Sequence, residues 1–257
     1  MKFDYKERFS VEGKCCIVTG GAQGLSRGMA EALLENGAKV VLIDIQKEKL
    51  QAVVQEYQEL GYQAYGVCGN LADREDLDRM FEEAIQLLGG SLDVLIPAAG
   101  IQRRYLPEEF PMQDWDLVLN INLNHVFIMC QKALKVMLTQ KTGGKIINIA
   151  SMVSWFGGTT VPAYTASKGA VTQLTKSLAV DCAGRNININ AVAPGYMDTE
   201  MCANMSTERK DETTKRIPAG RWGTPDDLKG PILFLASGAS DYLNGAIIPV
   251  DGAYLVK

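Results

Sequence analysis

Tyr164 and Lys168 stand four residues apart in the run PAYTASKGA. On a helix, that spacing puts both side chains on one face. A tyrosine ordinarily has a pKa of about 10. A neighbouring ammonium favours the phenolate and so makes the hydroxyl usable as an acid or base near neutrality. Hydride transfer to or from a carbonyl carbon needs such a proton partner. Ser151 closes the upstream run GKIINIAS, where a hydroxyl could hold the substrate oxygen. Asn122 lies inside a long helical pattern, where a polar amide among apolar neighbours is unusual.

A second constellation is the glycine-rich stretch VTGGAQGLSRG, Val18 to Gly28. An apolar β-rich run, CCIVT, precedes it and a helical run, MAEALLENG, follows. In that setting the backbone N–H groups of a helix N-terminus hold a pyrophosphate. Gly20 permits the tight turn and Gly24 lets the backbone approach the phosphate. Ser26 occupies the place of a third glycine, a small departure. Asp44 ends the next strand, AKVVLID, where a carboxylate accepts hydrogen bonds from the adenosine ribose and repels a 2′-phosphate. NAD is therefore favoured over NADP, although Arg27 in the turn could meet that phosphate.

These residues need a scaffold, and the rest of the chain predicts one. Strands are expected at Cys15–Thr19, Ala38–Asp44, Tyr62–Cys68, Leu92–Gly100, Gly144–Ser151, Asn186–Pro194 and the C-terminal GAIIPVDG. Helices are expected at Met29–Gly37, Lys47–Leu60, Arg74–Leu88, Asp114–Leu138, Ala163–Cys182 and Asp227–Ser237. Near-continuous apolar strands alternating with helices imply a Rossmann-type α/β fold, a doubly wound parallel sheet of about seven strands with helices on both faces. The 257 residues read as one domain, 1–257. The polar stretch 198–224, containing Met201 and Met205, is long for a connection and reads as a lid or an extra helical segment over a site.

Composition narrows the function. The net charge of −4 and the absence of a basic run make nucleic acid a poor partner. No apolar run approaches the roughly 20 residues that span a bilayer, and MKFDYKERFS is not a secretory signal. The six cysteines, Cys15, Cys16, Cys68, Cys130, Cys182 and Cys202, form no C-x-x-C pair and read as reduced thiols of a cytoplasmic protein. With one histidine, His125, metal catalysis is not expected.

TGGAQGLS, NINL, the Ser151…Tyr164-x-x-x-Lys168 spacing and the PG of AVAPGYMDT together resemble the short-chain dehydrogenase/reductase family, from about Lys14 to the C-terminus. The resemblance implies Tyr164 as general acid/base, Lys168 as its modulator and a nicotinamide-ribose ligand, Ser151 as the group orienting substrate, and Asn122 as the anchor of a relay water. It implies cofactor contacts at Gly20, Gln23, Gly24, Leu25, Asp44, Asn70, Leu71, Ala98, Gly100, Pro194, Gly195, Met197 and Thr199. It also implies a homotetramer built through long helices, with Met129, Leu134, Met137, Leu174 and Leu178 as either interface or core residues. Two departures stand out. The family's N-N-A-G is P-A-A-G here, Pro97 to Gly100, and Pro97 removes a donor from an expected central strand. His125 stands where the family often has glycine, and reads as a core, packing, subunit-contact or catalytic residue.

AGIQRR, RIPAGRWGTPDDLKGPILFLAS and SDYLNGAIIPVDG resemble one branch of that family, dehydrogenases of deoxy-keto sugar acids. Arg103 and Arg104 follow the fourth strand's C-terminal end, where a guanidinium could pair with a substrate carboxylate. The alternative is that both are solvated loop residues or bridge subunits. Trp155 and Phe156 either wall the pocket or pack beneath the lid. An NAD-dependent polyol or gluconate dehydrogenase is the rival enzyme, and a nucleotide-binding regulator without redox chemistry the rival from another class.

Overall fold

The structure, a computed structural model, describes residues 4–140, 142–200 and 205–257. Met201 and Cys202 lie outside the described residues. Seven strands form one all-parallel sheet: β1 Cys15–Thr19, β2 Lys39–Asp44, β3 Ala64–Cys68, β4 Val94–Ile96, β5 Gly144–Ile149, β6 Ile187–Pro194 and β7 Ile247–Val250. Their order is β3-β2-β1-β4-β5-β6-β7. The order reverses between β1 and β4, which opens a crevice beyond the strands' C-terminal ends.

The helices are α1 Tyr5–Phe9, α2 Gly24–Leu34, α3 Lys47–Glu59, α4 Arg74–Leu87, α5 Met112–Leu119, α6 His125–Gln140, α7 Pro162–Cys182, α8 Thr207–Lys215 and α9 Asp226–Ala236. Alternate residues of each strand feed two cores, as the pleat requires. Cys16, Val18, Val40 and Leu42 pack with Met29 and Leu33 of α2, Leu50 and Tyr57 of α3, and Ile232 and Leu235 of α9. Cys15, Ile17, Val41 and Ile43 face the other way, onto Leu77 and Met80 of α4, Met129 and Met137 of α6, and Ala179 of α7. Met129 and Met137 are therefore core residues. Leu134, Leu174 and Leu178 are partly buried against the same cluster.

Two of the differences from the sequence expectation bear on the site. The fourth strand ends at Ile96, so Pro97 lies beyond the ladder and its missing N–H costs no strand pairing. The long helix is not uniform: α5 and α6 are joined by a π-helical turn, Asn120–Asn124, in which His125 N–H reaches back to the Asn120 carbonyl. Single π turns of this kind gather at functional sites, and this one contains Asn122.

The described cysteines Cys15, Cys16, Cys68, Cys130 and Cys182 are all free thiols. Among the described residues, no helix is long and apolar enough to cross a membrane, and no cluster of His, Cys, Asp or Glu could hold a metal ion.

Candidate active site

The turns that follow β1, β2, β4, β5 and β6 open onto one cleft of about 840 Å³. Gly20, Gln23, Gly24, Leu25, Asp44, Asn70, Leu71, Ala98, Gly100, Ser151, Tyr164, Lys168, Pro194, Gly195, Met197 and Thr199 all line it. Arg104 and Phe156 line it too, whereas Arg103, Trp155 and Asn122 do not.

At one end of the cleft the chain leaves β1 through Gly20, whose φ is +71°. A Cβ there would also sit 2.9 Å from the Ala99 Cα. Gly24 opens α2 with φ +60°. No side chain caps the start of α2, whereas Asp73 caps α4. The first N–H groups of α2 thus remain for an anion at the cleft wall. The close approaches around this turn fall at glycines on either side of Ser26. A Cβ on Gly21 would lie 2.4 Å from Leu42, and one on Gly28 would lie 2.5 Å from Pro225 of the loop before α9. Ser26 is buried without such a conflict.

Asp44 is nearly buried, and each carboxylate oxygen is held by the backbone: Ala22 N–H donates at 3.1 Å and Gln46 N–H at 2.9 Å. Arg27 turns away. Its guanidinium donates to Glu31, Tyr57 and Glu56 at 3.1, 3.2 and 2.7 Å, tying α2 to α3. The cleft therefore fits a dinucleotide: two glycines at positive φ, an uncapped helix start and a fixed carboxylate one strand away.

At the other end, Tyr164 and Lys168 emerge from the first turns of α7. The Lys168 Nζ lies 5.7 Å from the Tyr164 ring centroid and donates to the Ile149 carbonyl at 2.7 Å. Burial pulls the Lys168 pKa down to about 8. Ser151 follows β5, and its Oγ accepts from Val153 N–H at 3.4 Å. Ser154 Oγ donates to the Lys168 carbonyl at 2.8 Å, which fixes the post-β5 turn against α7. Asn122 is fully buried behind this wall. Its Oδ1 accepts from Ile101 N–H at 2.8 Å, and its Nδ2 donates to the Ile101 carbonyl at 2.9 Å and to Ser167 Oγ at 3.2 Å. Its side chain clamps the loop after β4 and does not face the cleft.

The substrate-side expectations need correction. Arg103 is drawn off by Asp114 at 3.5 Å and by the Gln102 carbonyl at 3.1 Å. Trp155 is about half exposed outside the cleft, at the end of a short 3₁₀ turn, while its neighbour Phe156 packs near Tyr254. Arg104 does reach the cleft, with long contacts to Thr159 O and Thr160 Oγ1 at 3.4 and 3.5 Å. Arg216, which the sequence reading passed over, joins it there, its guanidinium 5.6 Å from the Tyr254 ring centroid. Neither Arg104 nor Arg216 forms an ion pair among the described residues. Both lie close enough to Tyr196 to oppose the rise in its pKa that burial and the adjacent Tyr254 cause. Arg216 opens RIPAGRWG, one of the stretches that carry the resemblance to the sugar-acid branch, and that was the available signal.

The stretch after β6 makes a closed excursion. Asp198 N–H donates to the Gly223 carbonyl at 2.8 Å and Gly223 N–H to the Tyr196 carbonyl at 2.9 Å, so the chain leaves and returns at one point. Between them α8 lays Arg209, Glu212 and Thr213 along the cleft, with Met205 just before it. His125 is a core histidine: it is fully buried, and burial lowers its pKa to about 4.

A family model described as short chain dehydrogenase matches residues 14–210. The 2-dehydro-3-deoxy-D-gluconate 5-dehydrogenase of Escherichia coli (strain K12) is 44% identical over 251 residues, 97% of this chain and 98% of that protein. The 5-keto-D-gluconate 5-reductase of the same organism is 40% identical over 250 residues, 96% of this chain and 98% of that protein. Among solved structures, a gluconate 5-dehydrogenase from Burkholderia cenocepacia J2315, in complex with NADP and tartrate, superposes with a TM-score of 0.93 at 35% identity, covering 99% of this chain and 100% of that one.

Proposed function

The chain belongs to the short-chain dehydrogenase/reductase family, and from that membership we propose that it interconverts a hydroxyl and a keto carbon of a deoxy-keto sugar acid, of the 2-dehydro-3-deoxy-D-gluconate type, with NAD. It is an oxidoreductase that uses a nicotinamide cofactor. The observation that carries the substrate class is the meeting, in one cleft, of the Tyr164–Lys168 pair with guanidinium groups that include Arg104 and Arg216, neither in an ion pair among the described residues. A sugar acid needs both a proton partner at its reacting carbon and a cationic partner for its carboxylate.

Gly20, Gly24 and the start of α2 would hold the pyrophosphate, and Asp44 would hold the adenosine ribose. The nicotinamide, when bound, supplies or accepts the hydride. Tyr164 takes the proton from the substrate hydroxyl during oxidation, or gives it to the keto oxygen during reduction. Ser151 holds that oxygen in place, and the Lys168 ammonium stabilises the phenolate. Asn122 acts from behind by fixing Ile101. The excursion 198–224 closes over the cleft as a lid, excluding water. The assembly is a homotetramer, which light scattering on the eluted protein tests directly.

Asp44 supports NAD over NADP: a 2′-phosphate would meet a carboxylate already fixed by two N–H groups, and Arg27 is committed to Glu31, Glu56 and Tyr57. The test measures reduced-nucleotide formation from NAD and from NADP with 2-deoxy-D-gluconate, D-gluconate and neutral polyols. Turnover of acids with NAD is expected. Turnover of polyols alone would remove the carboxylate reading and leave a polyol dehydrogenase.

A further inference from the structure

We propose that His125 is a positioning residue: acting through the hydroxyl of Thr19, it fixes the Ala98–Gly100 turn against which the dinucleotide site closes. The inference goes beyond the substrate assignment and rests only on the reading that this cleft takes a nicotinamide dinucleotide.

Two oddities of the sequence meet here. The turn after β4 is Pro97-Ala98-Ala99-Gly100, with no polar side chain of its own and no N–H on Pro97. Its hold must come from outside. Ala99 N–H donates to Thr19 Oγ1 at 3.0 Å, and Thr19 Oγ1 lies 3.3 Å from His125 Nε2. On its far side the imidazole Nδ1 meets the Ile121 carbonyl. Thr19 and His125 are both fully buried.

The direction of each bond follows from chemistry. A carbonyl oxygen can only accept, so Nδ1 carries the proton. In a neutral ring Nε2 then accepts, and the Thr19 hydroxyl must donate to it. The Thr19 oxygen is thereby left with its lone pairs for Ala99 N–H. The chain of bonds runs one way, from Ala99 through Thr19 and His125 to Ile121. An Nε2–H tautomer would place a donor against the hydroxyl and leave Nδ1 without a proton at Ile121.

The turn so held touches both halves of the site. Ala99 lies against Gly20, where a Cβ would come within 2.9 Å of its Cα. A Cβ on Gly100 would stand 3.8 Å from Lys168 Nζ and 3.4 Å from Asn122 Oδ1. Asn122 clamps Ile101 immediately afterwards. The loop is therefore pinned at Ala99 by Thr19 and at Ile101 by Asn122, both routes leading back to the π turn.

The chain has a single histidine, which makes the first test direct. In the full-length protein labelled with ¹⁵N-histidine, the expected spectrum is the Nδ1–H tautomer, with no titration between pH 5.5 and 8.5. An Nε2–H tautomer, or a midpoint near the free value of about 6.5, would overturn the proposal.

The second test follows NADH binding by nucleotide fluorescence, with thermal melting as a check on folding. Thr19→Val, which keeps the shape and loses the hydroxyl, is expected to raise the NADH dissociation constant roughly three- to tenfold. Thr19→Ser is expected to restore it. His125→Leu should weaken binding comparably, and the double variant T19V/H125L should be no worse than either single one, because both cut one chain of bonds. Folded Thr19→Val that binds NADH as wild type does, or additive losses in the double variant, would overturn the brace alone. A wild-type protein that takes up neither NADH nor NADPH would overturn the cofactor reading and the brace together.

Discussion

Lys168 Nζ donates to the carbonyl oxygen of Ile149 at 2.7 Å, at the last residue of β5. The bond steers the ammonium toward the cleft, yet burial still opposes its charge and brings its pKa down to about 8. The folded value lies below the unfolded one of about 10.4. The fold thus disfavours the charged form. That penalty is present in full at neutral pH and disappears as pH rises from about 8 to about 10.4.

Replacing Lys168 by Met is accordingly expected to remove a cost of about 3 kcal/mol and to leave the Ile149 carbonyl unpartnered, a loss of about 1–2 kcal/mol. The balance raises the unfolding free energy of the cofactor-free protein while turnover is lost. Urea unfolding at pH 7 decides it; a less stable Lys168→Met protein would show that burial does not strain this lysine.

His125 gives the acid limb its own shape. Its folded pKa of about 4 lies below the unfolded value of about 6.5. The stabilising contribution is complete above pH 6.5 and is lost as pH falls toward 4, up to about 3 kcal/mol. Unfolding free energies at pH 7.5 and 4.5, compared between wild type and His125→Gln, isolate this share from that of the carboxylates. Equal pH dependence in both proteins would contradict it.

Arg104→Ala and Arg216→Ala are each expected to raise KM for sugar acids about ten- to hundredfold, the usual worth of a lost charge-assisted hydrogen bond. Values for neutral polyols should stay near wild type. Arg103→Ala, whose partner is Asp114, should leave both values near wild type. Equal effects on acids and polyols would point to a packing role.

Gly20 and Gly61 both adopt positive φ, +71° and +85°, but only Gly20 has a neighbour within 4 Å of where a Cβ would stand. Alanine at either position is expected to cost about 1–2 kcal/mol of stability through backbone strain. Only Gly20→Ala should also weaken NADH binding, because its methyl presses on Ala99. Unchanged NADH affinity in Gly20→Ala would remove this turn from the cofactor site.

Features set by local pattern were legible in the sequence. Strand β1, the glycine turn and Asp44 follow from apolar run, turn chemistry and spacing, and the Tyr164–Lys168 pair from helical periodicity. What escaped depends on long-range geometry. The π turn leaves no mark in a run of apolar residues and asparagines. Arg103 and Arg104 are adjacent and chemically alike, and only the position of Asp114 separates their fates. Arg216 lies more than a hundred residues further along the chain than Arg104, and no periodicity links them. Pro97 looks from sequence like a cost to a central strand because the strand's end, where Ile96 pairs with Val18 of β1, is a long-range feature.

The π turn at Asn120–Asn124 is also a spacer in angle. Each residue of a helix advances its side chains by about 100°. One residue added between α5 and α6 therefore rotates the face of α5 relative to that of α6 by about that amount. Only with this offset can Met129 and Met137 point into the core while Asn122 turns to the loop at Ile101. Deleting Asn124 would keep every apolar side chain and still disassemble the wall behind Lys168, because it would bring the two helices back into phase.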